Sequence, residues 1–260
     1  WLVAFLPLII YGVSYCYFLE RWQINFTKIK IFMKRIINEN AIDVLDRMIA
    51  KEYKVDLIVT DPPYKVTTRG GYTNAGGMML DDKMRKGKVF KENTLTIKEW
   101  LPKLYDVLKE TGHCYIMCNN KNLYPFLDAV NNTNFHLVKT MIWAKDNKIM
   151  SQAYMSQMEF VLFLRKGNFV RINNCGTSDL LQFPNSKTKG TDGKPIHPTE
   201  KPIDLMKVLI QNSSKENEIV LDPFLGVGST CIASKELNRD YIGIELDPQY
   251  YAVAVARVDG

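Results

Sequence analysis

The stretch IVLDPFLGVGSTCIASKEL, residues 219–237, decides the fold. Ile219, Val220 and Leu221 form an apolar run that ends at Asp222-Pro223, the profile of a buried strand halted by proline. Gly226 and Gly228 permit a tight turn and close approach to the backbone, and Ser229 and Thr230 open a helix. Strand, glycine turn and helix in this order are how doubly wound sheets hold a nucleoside-bearing ligand. Glycines alone are weak evidence, so the next strand matters. DYIGIEL (240–246) puts Glu245 nineteen residues after Gly226, where an acid grips ribose hydroxyls. Nothing beyond the glycines anchors a phosphate, which favours a nucleoside without a pyrophosphate.

Outward from this unit, strand and helix patterns alternate. Arg35–Asn38 reads as a short strand, and Ile42, Leu45, Met48 and Ile49 share one helix face. VDLIVTD (55–61) is another continuous apolar run. Ile97–Lys109 reads as a helix stopped near Gly112, HCYIMCN (113–119) as a strand and Leu123–Val130 as a helix. FHLVKTMIWAK (135–145) and EFVLFLRKG (159–167) read as two long strands, an antiparallel pair at the sheet edge. Phe169–Pro198 is polar and carries no strand or helix signal. Helices are predicted over Pro202–Gln211 and Asp247–Arg257. The alternation predicts an α/β fold, a doubly wound and mostly parallel sheet, in one domain over 33–260.

The segment Trp1–Leu19 holds no charge and is followed by Arg21, Lys28, Lys30, Lys34 and Arg35. Its length and flanks suit a membrane span. The expectation favoured here is instead that residues 1–32 are a leader outside the native fold, which opens at Met33, so that a membrane is not a partner. The chain has 260 residues, 46% of them hydrophobic, enough for a substantial core. Its net charge of +6 is unevenly spread. Lys65–Lys98 holds eight basic and three acidic residues, Lys145–Lys201 nine and five, and the remainder is net negative. A basic excess confined to two irregular stretches suits a surface that faces a polyanion. Five cysteines without a CxxC pair, and only three histidines, argue against a zinc site or a disulfide framework and for a reducing cytosol. Cys114 and Cys118 are expected as buried thiols.

LIVTDPPYKV (57–66) drives a strand into two prolines that have no N–H to extend a ladder. That leaves the Asp61 carboxylate, the Pro62 carbonyl, Pro63 and the Tyr64 ring on a stiff backbone at a strand's carboxyl end, the edge where such sheets bind ligands. In HPTEKP (197–202), Pro198 and Pro202 stiffen the approach to a helix that Thr199 is placed to cap. Lys201 stands where the helix dipole disfavours a cation, a hint of an anionic partner.

TDPPY (60–64), HPTEKP (197–202), LDPFLGVGST (221–230) and YIGIELD (241–247), in that order, resemble the β-group of S-adenosylmethionine-dependent DNA amino-methyltransferases. GHCYIMCN, MIWAKDN and EFVLFLRKG match more weakly, and the resemblance runs from about Arg35 to the C-terminus. It implies a Rossmann-like fold with the catalytic half before the cofactor half. It also implies methyl transfer from S-adenosylmethionine to the exocyclic N6 of a flipped-out adenine, without a metal. Asp61 and the Pro62 carbonyl would accept the two amine hydrogens and favour the pyramidal, attacking form, while Tyr64 stacks on the base. Asp222, Phe224, Gly226 and Gly228 would line the cofactor's methionine end, and Asp61, Ser229 and Thr230 would also contact the cofactor. Glu245 would take its ribose, and Thr199 and Lys201 would lie near its carboxylate. The family often has an acid after the first strand, facing the cofactor's adenine. Here Asn40, beside Ala41, stands there, and an amide oxygen can accept the same bond. An ordinary helix cap is the other reading of Asn40.

Adenine is favoured over cytosine-N4 because the family's cytosine enzymes more often carry Ser where Asp61 stands. The other alternative is a decayed relic that binds DNA without turnover. The partner expected is double-stranded DNA, contacted by insertions over about 65–98 and 145–196. Lys65, Arg69, Lys83, Arg85, Lys86, Lys88 and Lys91 are candidates for a loop closing over it, and Lys145, Lys148, Lys187 and Lys189 for the second insertion. The resemblance is compatible with a homodimer, a cognate restriction endonuclease and the cytoplasm of a bacterium or phage-infected host.

Overall fold

A computed structural model describes residues 35–63, 95–150, 154–190, 193, 195–197 and 200–260. The leader, Tyr64, Thr199 and the lysine-rich stretch from Lys65 to Lys91 lie outside the described residues. In chain order the described elements are β1 (Arg35–Ile37), α1 (Ala41–Ala50), β2 (Val55–Thr60), α2 (Ile97–Val107), β3 (Leu108–Cys118), α3 (Asn120–Asn131), β4 (His136–Ile149), β5 (Ser156–Arg165), β6 (Leu180–Gln182), α4 (Ile203–Ser213), β7 (Ile219–Asp222), α5 (Ser229–Glu236), β8 (Asp240–Ile244) and α6 (Pro248–Asp259).

The strands form one sheet in the order β1-β8-β7-β2-β3-β5-β4-β6. All neighbours are parallel except those of β5, which runs against both β3 and β4. The chain moves from β2 outward to β3 on one side and from β7 outward to β8 on the other, so the reversal of direction falls between β2 and β7. In open α/β sheets, ligands bind outside the carboxyl ends of the strands at such a reversal. Alternate side chains of the central strands feed two layers. Ile58, Leu221 and Ile242 pack under Leu45 and Met48 of α1, Trp100 and Leu104 of α2 and Phe126 of α3. Leu57, Val59 and Val220 face Leu205, Leu209 and Ile210 of α4 on the other side.

Local signals explain the ends of several elements. Thr96 and Glu99 make a reciprocal capping box at α2, and Asp247 accepts from the Gln249 N–H with Pro248 in the first turn of α6. Gly228, at φ +97°, turns β7's exit loop into α5. Cys114 and Cys118 are buried free thiols.

The structure departs from the sequence reading at three places. The α2 helix stops at Val107, and β3 begins at Leu108, five residues before the predicted strand. The polar stretch after Phe169 contains β6, held parallel to β4 by Ile142–Leu180 and Trp143–Leu181 pairing and by a bond from Trp143 Nε1 to the Phe183 carbonyl. The β4–β5 pair is antiparallel as predicted, yet β6 and not the pair forms the edge. Among the described residues no helix is long and apolar enough to cross a membrane.

Candidate active site

Two acids end the adjacent strands β2 and β7, and the chain stabilises them differently. Asp222 is buried at 4% exposure. Its carboxylate accepts from Thr60 Oγ1 at 2.8 Å, Thr230 Oγ1 at 2.6 Å and the Phe224 N–H at 3.1 Å. All three donors are neutral, so burial dominates and pushes its titration up to about 6, with the charge of Asp61 adding to the rise. Asp222 thus ties the end of β2, the turn and the start of α5 together.

Asp61 follows β2 directly, with Pro62 buried behind it. Lys201 Nζ donates to Asp61 Oδ2. Oδ1 is buried and accepts no hydrogen bond among the described residues. Burial is again the largest influence and raises Asp61 to about 6, opposed by the Lys201 ammonium and assisted by Glu159. The anionic partner that Lys201's position foretold therefore includes a residue of the chain itself.

Behind this pair stands a second one that the sequence did not single out. Glu159 lies near the start of β5, and because β5 is antiparallel its start reaches the carboxyl edge of the parallel strands. Glu159 Oε2 is 3.5 Å from Lys201 Nζ, and Oε1 accepts from Lys145 Nζ at 2.5 Å. Lys145 is buried on β4, its ammonium 4.6 Å from the centre of the Trp143 ring. Its charge is spent inside the protein, which overturns the expectation that it contacts DNA phosphates. Lys148 and Lys189 are exposed and Lys187 is half-buried. The signal for Glu159 was an acid opening an otherwise apolar strand, in register with Trp143 on β4.

The glycine turn is held at both ends. The Leu225 N–H donates to the Ile244 carbonyl at 2.9 Å, and Arg257 Nη1 donates to the Val227 carbonyl at 2.6 Å. Arg257 also pairs with buried Glu200 of HPTEKP at 2.7 Å, and Glu200 accepts from the Thr188 N–H and hydroxyl. Gly226 has φ +59°, and among the described residues only the His197 ring, 3.8 Å away, stands where its side chain would be. Burial, together with Lys201, pushes His197 down to about 4, so this ring is neutral near pH 7. Glu245 accepts from the Gly226 N–H and the Asp247 N–H, each at 2.8 Å. A carboxylate has about four acceptor positions, so Glu245 keeps capacity for ligand hydroxyls. Bare backbone at Gly226 beside this acid fits a nucleoside-bearing cofactor.

The structure places the other expected residues as follows. Asn40 Oδ1 accepts from the Ile42 N–H at 2.9 Å and caps α1, with Ala41 buried as the first helical residue. Helix α4 starts at Ile203 with Pro202 at its cap; Thr199, expected to cap it, lies outside the described residues. Phe224 is partly buried against Trp100, while Ser229 and Thr230 are buried at the start of α5. Asn38 was missed. Its amide donates to the Glu245 and Leu246 carbonyls and pins β1 beside the end of β8.

Fold and site together define an α/β protein whose glycine turn and strand-end Glu245 suit a nucleoside-bearing ligand, beside the buried Asp61 carboxylate. Residues 55–256 match the DNA methylase family of N6 and N4 methyltransferases, and the chain belongs to that family. It is 30% identical over 248 residues to the type II methyltransferase M.HinfI of Haemophilus influenzae, covering 87% of this chain and 68% of that protein. The type II methyltransferase M2.DpnII of Streptococcus pneumoniae is 29% identical over 244 residues, covering 86% of this chain and 89% of the relative. Among solved structures, the M1.HpyAVI–SAM complex superposes with a TM-score of 0.64 at 25% identity, covering 86% of this chain and 98% of that one. The cytosine-N4-specific PvuII DNA methyltransferase shares the fold, with a TM-score of 0.64 at 16% identity, covering 86% and 85% of the two chains.

Proposed function

We propose that this DNA methyltransferase uses S-adenosylmethionine to methylate the exocyclic N6 of adenine. One observation carries the reading: Asp61 has one oxygen held by Lys201 and the other buried with no hydrogen-bond partner among the described residues, at the sheet's switch point. A buried acceptor left open is costly unless a ligand donor fills it. An exocyclic amine is such a donor. Asp61 Oδ1 takes one amine hydrogen and the Pro62 carbonyl the other. These two acceptors draw the nitrogen out of conjugation with the ring and orient its lone pair, and Tyr64 stacks on the base. Asp61 acts as acceptor and orienter more than as a strong base, since an ordinary carboxylate is too acidic to deprotonate an arylamine.

Asp222, the turn at Gly226 and Gly228, and Glu245 hold the cofactor, which when bound supplies a methyl group activated on a sulfonium. The protein's contribution is in-line placement at near-contact distance. A base inside a duplex cannot reach this site, so it must be flipped out at a cost of a few kcal/mol. Stacking offsets part of that cost, and phosphate contacts from Lys148, Lys189 and the lysines of Lys65–Lys91 hold the backbone.

The type II names of the relatives support a place in restriction–modification, with an endonuclease sharing the recognition site and a dimer as a compatible assembly. The test is expression in a methylation-deficient host, followed by single-molecule mapping of modified bases. N6-methyladenine at one short sequence is expected, abolished by Asp61→Ala. N4-methylcytosine in its place would establish the cytosine alternative, and unmodified DNA would refute the reading.

A further inference from the structure

We propose that Glu159 is a positioning residue for methyl transfer: it holds the Lys201 ammonium away from the inner oxygen of Asp61, so that this oxygen stays open to the substrate amine. The inference rests on the amino-methyltransferase reading for what Asp61 does, and on this chain's geometry for how Asp61 is held. Four charged groups from four segments meet at the carboxyl edge of the sheet. Asp61 follows β2, Lys201 precedes α4, Glu159 is on β5 and Lys145 is on β4. Asp61, Glu159 and Lys201 have side-chain exposures of 20%, 15% and 7%, and Lys145 only 4%. Two carboxylates and two ammoniums balance, which is how such charges tolerate burial.

Within this neutral set, one ammonium is shared by two acids. Lys201 Nζ bonds Asp61 Oδ2 and lies 3.5 Å from Glu159 Oε2, an oxygen that is buried and accepts no hydrogen bond among the described residues. Against burial, the Lys201 ammonium and then Lys145, which bonds its other oxygen, hold Glu159 below the usual carboxylate range, and Gln157 donates to that lysine's backbone carbonyl at 2.9 Å. An ammonium has three N–H donors. Pulled from one side only, it moves onto the carboxylate that remains and covers both of its oxygens. Glu159 supplies the opposing pull. Its negative charge also raises Asp61's proton affinity, which makes Asp61 a better acceptor. Other titratable groups around the set are Cys118 at the end of β3, Asp222 on β7, Lys187 after β6 and His197.

Glu159→Gln in the full chain tests this. The first readout needs neither cofactor nor DNA. The side-chain carboxyl carbon of Asp61, assigned with Asp61→Asn, is followed by NMR against pH, and Glu159→Gln is expected to lower its midpoint by about one pH unit. The second is single-turnover methylation of unmethylated DNA from a methylation-deficient strain at saturating S-adenosylmethionine. The rate at neutral pH is expected to fall about tenfold or more, the acidic limb to move down with the NMR midpoint, and cofactor affinity to stay within about twofold. Glu159→Asp should recover part of the rate.

An unmoved Asp61 midpoint overturns the proposal even if the chain methylates nothing. A normal rate in Glu159→Gln overturns it while leaving the amino-methyltransferase reading intact. An inactive wild type with a shifted midpoint overturns that reading alone. Should Glu159→Gln fail to fold because Lys145 is stranded, the double variant Lys145→Met/Glu159→Gln removes a neutral pair and must still show a downward shift, smaller because Lys145 itself lowers Asp61, together with the rate loss.

Discussion

Replacing Lys201 with methionine keeps the length of the side chain and deletes the ammonium that two acids share. In the wild type, burial raises Asp61 to about 6 and Lys201 is the strongest influence opposing that rise. At an effective dielectric constant near 20, unit charges about 4 Å apart interact by about 4 kcal/mol, which caps the loss at about three pH units. Asp61 keeps some contact with water and Lys145 remains nearby, so about two units is the working figure. The midpoint then moves to about 8, and only about a tenth of Asp61 is ionised at pH 7.

If the ionised carboxylate is the acceptor that matters, the single-turnover methylation rate of Lys201→Met at pH 7 falls about tenfold and recovers towards pH 9. The wild-type rate rises through pH 6 and is flat above. The assay is rapid-quench methyl transfer to unmethylated DNA from pH 5.5 to 9, with S-adenosylmethionine affinity measured separately. Two results refute the reasoning. One is a variant profile that overlays the wild type; the other is a loss confined to cofactor affinity, which would put Lys201 on the cofactor's carboxylate and not on Asp61.

Other consequences follow from the same geometry. Gly243→Ala would set a methyl 2.5 Å from Leu225 Cδ2 and 2.8 Å from Cys231 Sγ. Urea unfolding should show a loss of about 1–3 kcal/mol, and because Leu225 sits in the glycine turn, calorimetry should show weaker cofactor binding. Arg257→Met breaks the pair with buried Glu200 and releases the Val227 carbonyl. About 3–5 kcal/mol of stability should go, with weakened cofactor affinity and little change in the rate at saturation. A stable variant with unchanged affinity would show that this brace does not hold the turn.

The fold was legible because its central strands are buried on both faces, so that residues 57–59, 114–118 and 219–221 read as unbroken apolar runs. The helices between them kept their stripes and caps. What escaped was set by tertiary pairing. β6 is two leucines in a polar stretch, a strand only because β4 offers it a ladder and Leu181 a buried slot. Lys145 read as a surface cation because nothing local shows that Glu159 faces it across the β4–β5 hairpin. Both catalytic-edge acids, Asp61 and Asp222, could be picked from the prolines that follow them. That they are stabilised in different ways could not, because Thr60, Thr230 and Lys201 reach them from separate parts of the chain.

That difference separates the two acids in function. Both carboxyls are raised to about 6, above the unfolded value near 4. Each therefore contributes stability that is complete below about pH 4 and lost as pH rises through about 6. Replacing Asp222 with Asn removes a desolvated charge. Relative to wild type, the variant should gain up to about 3 kcal/mol between pH 4 and pH 7, read from urea unfolding at the two pH values. Asp222 has three neutral donors on its oxygens and serves as a knot between β2, the turn and α5, so an amide that keeps one acceptor should weaken cofactor binding without abolishing transfer. Asp61→Asn leaves Lys201 with Glu159 to satisfy it, so the chain should remain folded. It turns the open acceptor into a group that can present an N–H to the incoming amine, and transfer should fall by at least about a hundredfold. If the two variants lost activity equally, an acid held by hydroxyls and an acid held by an ammonium would be interchangeable at this edge, and the assignment of Asp61 as the substrate-facing carboxylate would fail.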